Sequence, residues 1–146
     1  DLLADKEYQE KIAAAIAEKI GMTLEIQDTE FGSIITGVQT GKYDMGMAGM
    51  TVTEERKLSV NFSDTYATGI QSVIVKKGSD IKTIDDIEGK KIGVQINTTG
   101  DTQVTEEFGD DVVERFQNGA LAVESLKNGK IDCQRFLRFN LLINRR

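Results

Sequence analysis

Met47-Ala48-Gly49-Met50-Thr51-Val52-Thr53-Glu54-Glu55-Arg56 reads as the end of an apolar strand, small residues, a hydroxyl, a helix start and one arginine. That order sets bare backbone, a hydroxyl and a guanidinium around one point. It suits holding a carboxylate without reacting with it. Arginine forks onto a carboxylate through two parallel hydrogen bonds. In open α/β sheets, ligands bind beyond the strand ends. The Thr51-x-x-Glu54 spacing is a capping-box pattern and predicts a short helix starting there.

Working outward, Glu7 to Ile20 predicts a helix, with Ile12, Ile16 and Ile20 every fourth residue and Gly21 as the stop. Thr23 to Ile26 alternates like a strand. Phe31, Ile34, Ile35 and Val38 predict a second helical stripe, and Tyr43 to Ala48 a short strand. Further on, Ile70 to Val75, Lys91 to Gln95 and Val112 to Phe116 read as strands. Thr83 to Asp86, Thr105 to Phe108 and Gly119 to Lys127 read as helical. Alternation of this kind indicates βαβ units and parallel sheets, hence an α/β fold. Val38 to Met45 also echoes Leu126 to Cys133: helix end, glycine, lysine, then a strand starting at aspartate. The echo fits two similar α/β lobes as well as two independent αβ turns.

Bulk properties exclude several classes. The 146 residues suffice for one ordinary domain or parts of two small ones. A net charge of -6 argues against a nucleic-acid partner. With no histidine, a Ser-His-Asp or Cys-His mechanism within this chain is ruled out. The single Cys133 excludes an internal disulfide and reads as a buried structural thiol. No metal site, cofactor or catalytic residue is expected. The start Asp1 to Asp5 is not leader-like, which fits a chain whose leader has been removed.

Residues 134–146 differ from what precedes them. They hold four arginines, no lysine and no acid, whereas the first 133 residues hold only Arg56 and Arg115. The expectation is an atypical basic tail, from a shifted reading frame or an artificial appendage. The alternative is a natural basic helix with Phe136, Phe139 and Ile143 on one face.

Three motifs occur in order: Ala48 to Arg56, then Asn61-Phe62-Ser63-Asp64-x-Tyr66, then Ile92-Gly93-Val94-Gln95-x-Asn97-Thr98-Thr99-Gly100-Asp101. Together they resemble the bacterial extracellular solute-binding proteins of family 3, the polar amino-acid receptors of ABC importers. The resemblance covers residues 10 to 133. It implies a periplasmic-binding-protein-like type II fold, with two α/β lobes joined by a hinge and incomplete in this chain. The lobes fall on residues 1–68 (lacking the usual first strand) and 69–133 (partial).

By resemblance, Ala48 and Gly49 offer backbone groups to an amino acid, Thr51 a hydroxyl and Arg56 the carboxylate-binding guanidinium. Phe31 falls on the aromatic wall, Thr98 and Thr99 on a second-lobe loop that donates N–H to the carboxylate, and Gln95 on a side-chain contact. An acidic residue that grips the ligand ammonium in the family falls on Leu137, and the usual proline between Asp64 and Tyr66 is Thr65. An ammonium buried without its acidic partner costs several kcal/mol. One lost charge-assisted bond, about 1.5–3 kcal/mol, weakens binding by about ten- to hundred-fold.

The implied function is binding of a polar amino acid and delivery to an ABC permease, in a shortened form with an impaired site, at a periplasmic or extracellular location, lipid-anchored or secreted. The alternatives are a non-binding or oligomeric fragment, with a homodimer through open sheet edges, and a cyclic-acid dehydratase of the same fold.

Overall fold

In the computed structural model, residues 2–140 are described, with side chains for residues 6–137. The chain divides into two compact units. One takes the residues up to Thr29 together with Ser33–Thr65; the other takes Glu30–Gly32 together with the residues from Tyr66 onward.

In the first unit, α1 spans Leu2–Ile20. Ile34–Gln39 forms α2, entered through a 3-10 turn at Phe31–Ser33, and Glu54–Lys57 forms the one-turn α3. The two strands expected here, Thr23 to Ile26 and Tyr43 to Ala48, are not formed. Alternation alone does not make a strand; its N–H and C=O groups need a neighbouring ladder, and all four paired strands of the described residues lie in the second unit.

The second unit is built on β1 (Thr68–Val75), β2 (Ile92–Gln95), β3 (Val113–Phe116) and β4 (Cys133–Asn140), in the order β1-β4-β2-β3. Strand β2 runs parallel to β3 and β4, as expected from βαβ units, while β1 pairs antiparallel with β4. Helices α4 (Thr99–Phe108) and α5 (Gly119–Lys127) connect the parallel strands. The core joins Ile81, Ile87, Ile92, Val94, Val104 and Cys133, with Val73, Val75 and Phe108 packed against it. On the α5 side, Gly93 is a packing requirement: a Cβ there would collide with Ile131 Cδ1 and press on Phe116.

Gln134 to Asn140 continues β4, which corrects the helical alternative for this segment. Gln134 is buried, and Arg135 reaches Gln103 and Glu107 of α4. Of the arginines that set this segment apart in composition, Arg135 pairs the sheet with α4. Residues 141–146, including Ile143, lie outside the described residues.

The internal echo is a repeated Schellman turn. Gly41 and Gly129 both have φ +73°. Gly41 N–H donates to Val38 O and Lys42 N–H to Gly37 O; Gly129 N–H donates to Leu126 O and Lys130 N–H to Ser125 O. Only glycine takes this left-handed conformation without a Cβ penalty.

Cys133 is fully buried at the sheet centre. Burial first, and then the charge of Asp132, push its thiol up to about 11. A raised thiol pKa stabilises the fold below the unfolded value of about 8.5, and that contribution drains away as pH climbs towards 11. A thiol reagent at pH 8 is expected to leave native Cys133 unmodified and to modify it fully in denaturant. Rapid labelling of the native chain contradicts the assignment.

Candidate functional site

In the first unit, Ala48 and Gly49 are half-buried and Gly49 sits at φ +59°, which turns the chain sharply before Thr51. Arg56 lies in α3 and is half-buried. Its Nη1 donates to the Thr51 carbonyl at 2.8 Å, closing residues 51–56 into a loop with the guanidinium at its mouth. Burial holds the Arg56 pKa below its ordinary value, yet a guanidinium stays charged at any working pH. The helix cap is corrected by two residues. The N-cap is Thr53, whose hydroxyl accepts from Arg56 N–H at 3.2 Å, so the Thr51 hydroxyl takes no part in it. A cavity of about 460 Å³ in the same unit is lined by Val52, Lys57, Val60 and Phe62 among others, and by none of the expected site residues.

In the second unit, Gln95, Thr98 and Thr99 lie along the β2–α4 turn. Thr98 is the N-cap of α4: its hydroxyl donates to Gln95 O at 2.8 Å and accepts from Asp101 N–H at 3.2 Å. Thr99 and Gly100 open the helix, so their N–H groups have no carbonyl one turn earlier to receive them. These donors and the helix dipole favour an anion. Gln95 Nε2 instead donates to the Gln117 carbonyl, on the β3–α5 side. Phe31 begins the 3-10 turn, half-buried, and groups with the second unit. Among the described residues, no three acidic, cysteine or histidine side chains could share a metal ion.

The sequence reading passed over the residues that hold this turn. Asp101 is 8% exposed. Its Oδ2 accepts from Asn97 N–H at 3.1 Å, and its Oδ1 accepts from Arg115 Nε at 2.8 Å. Asn97 takes φ +64°, an uncommon conformation that Asn tolerates better than most residues. Arg115 continues to Thr105 and Asp110, and its pKa is raised, chiefly by the bond to Asp110. Two signals were available: Thr98-x-x-Asp101 is a capping spacing, and Arg115 is one of only two arginines before residue 134. Replacing Asp101 by Asn strips Arg115 of its buried partner. The expected loss is about 1–3 kcal/mol by denaturant titration, against about 1 kcal/mol for Thr98→Ala. Equal, negligible losses contradict this role.

The chain is similar to known proteins. Residues 8–127 match the profile of the bacterial extracellular solute-binding proteins, family 3. The arginine-binding extracellular protein ArtP of Bacillus subtilis (strain 168) is 34% identical over 86% of this chain and 50% of its own length. A probable histidine-binding protein of Neisseria gonorrhoeae is 34% identical over 81% of this chain and 45% of its own. The solved structure of an ancestral arginine-binding protein bound to glutamine aligns with TM-score 0.84 and 40% identity, over 89% of this chain and 58% of that one. The chain thus spans about half the length of the curated relatives it matches. The fold is the α/β type II periplasmic binding fold of these neighbours. The matched proteins are binding proteins rather than enzymes.

Proposed function

Because this chain belongs to the bacterial extracellular solute-binding proteins of family 3, we propose that it binds a polar amino acid by its α-carboxylate. The amino acid is then handed to an ABC permease outside the cytoplasmic membrane, from a lipid-anchored or secreted form. The observation that carries the reading is the α4 N-terminus. There Thr98 caps the helix start, and the Thr99 and Gly100 N–H groups have no intrahelical carbonyl to receive them. Arg56, poised over Thr51, supplies the guanidinium in the first unit. Arginine, histidine and glutamine are the amino acids in the names of the relatives and of the ligand-bound structure.

The ammonium side of the site is weaker. Leu137 pairs with Gln71 across β4 and β1 and packs over Gly69, where a Cβ would come within 2.7 Å of its side chain. It brings no charge to an ammonium. The site on this reading holds a carboxylate well and an ammonium poorly.

Calorimetric titration with L-arginine, L-glutamine and L-histidine tests both halves. The unaltered chain is expected to bind more weakly than micromolar. Leu137→Asp is expected to tighten binding by about ten- to hundred-fold, the worth of one charge-assisted bond. Arg56→Lys, which keeps the charge and loses the fork, weakens it by about tenfold. Micromolar binding by the unaltered chain contradicts the impaired site; indifference to Arg56→Lys contradicts the carboxylate assignment.

A further inference from the structure

Thr98 and Thr99 are adjacent hydroxyls with opposite hydrogen-bond states. A threonine hydroxyl has one proton to give and two lone pairs to offer. Thr98 gives its proton to the Gln95 carbonyl and accepts from Asp101 N–H. Its side chain is therefore spent on the turn. The Thr99 hydroxyl instead accepts, from Gln71 Nε2 at 3.3 Å. Gln71 is on β1, 28 residues away in sequence, so this bond ties the sheet to the first turn of α4. The amide lies directly over that turn: a Cβ at Gly100 would sit 3.3 Å from Gln71 Oε1 and 3.5 Å from Thr98 Oγ1.

We propose that Gln71 is a positioning residue that aims the Thr99 hydroxyl proton at the ligand carboxylate. The inference rests on the carboxylate-binding reading above and adds to it which threonine donates by its side chain and what orients it. With Nε2–H on one lone pair of Oγ1, the threonine proton points away from Gln71. The chain Nε2–H to Oγ1–H to carboxylate then runs in one direction, and each bond polarises the next. The buried Oε1 has no hydrogen-bond partner in this arrangement. An amide turned by 180° would place Oε1 on Thr99 instead, take up the threonine proton and leave the carboxylate one donor short. A bound carboxylate selects the first orientation. Thr98 has a structural part only.

The test is calorimetric titration of the full chain and its variants with L-arginine and with agmatine, the decarboxylated analogue, which has no acceptor at that position. Gln71→Glu puts an obligatory acceptor on Thr99 and a negative charge nearby. It is expected to weaken L-arginine binding by about tenfold or more. Gln71→Leu is expected to cost about three- to tenfold, Thr99→Val about tenfold, and Thr99→Ser to restore most of the loss. In the Thr99→Val background, Gln71→Leu adds nothing, because its effect passes through the hydroxyl. Agmatine binding is unmoved by Gln71→Leu. Equal weakening of both ligands, or additive losses in the double variant, overturns the positioning role and leaves carboxylate binding standing. L-arginine binding by neither the unaltered chain nor Leu137→Asp overturns the underlying reading and this inference with it. Thermal midpoints identify any variant that fails to fold, and Gln71→Glu, nearly isosteric, then carries the test.

Discussion

The buried carboxylate of Asp101 is the constraint on which the turn into α4 depends. One oxygen holds Asn97 N–H and with it the left-handed bend that ends the β2 run; the other holds Arg115 on β3. The carboxylate is thus shared between a loop and the neighbouring strand. A charge this far from water persists only when paired and hydrogen-bonded, and here both conditions are met. Thr98 can then cap α4, whose first residues Thr99 and Gly100 carry N–H groups with no intrahelical partner. A flexible glycine-rich loop of equal length would offer the same donors at a greater entropic cost.

Much of the second unit was legible in the sequence. The apolar runs at Ile70 to Val75 and Lys91 to Gln95 became β1 and β2 because buried sheet strands are read from continuous hydrophobicity. The glycines at 41 and 129 marked helix ends because a Schellman turn demands a positive φ. The first unit was less legible. Thr23 to Ile26 and Tyr43 to Ala48 have strand-like patterns, but a pattern states which side chains suit a pleated surface and not whether a neighbouring strand exists. The cap moved from Thr51 to Thr53 because both residues are good caps, and only the start of α3 at Glu54 chooses between them. The strand at Gln134 to Asn140 was not legible, because its partners are distant in sequence: Arg135 meets Gln103 and Glu107, 32 and 28 residues away.

The helix start at Thr98 and Thr99 was legible, because motif and capping threonine coincide there. The bond from Gln71 on β1 to Thr99 was not. Nothing in the local sequence around Gln71 signals a partner 28 residues on. Leu137 carries the opposite lesson. Its neighbours in the sheet are Gln71 and Gly69, both uncharged.

The most direct measurement is a titration of the ¹⁵N-labelled chain with L-arginine, following backbone amide resonances. If a carboxylate is received at the start of α4, the amides of Thr99 and Gly100 shift downfield and saturate together with one dissociation constant, and agmatine, which has no carboxylate, leaves them in place. Saturable binding that leaves Thr99 and Gly100 unmoved, or that moves them equally with agmatine, contradicts the account.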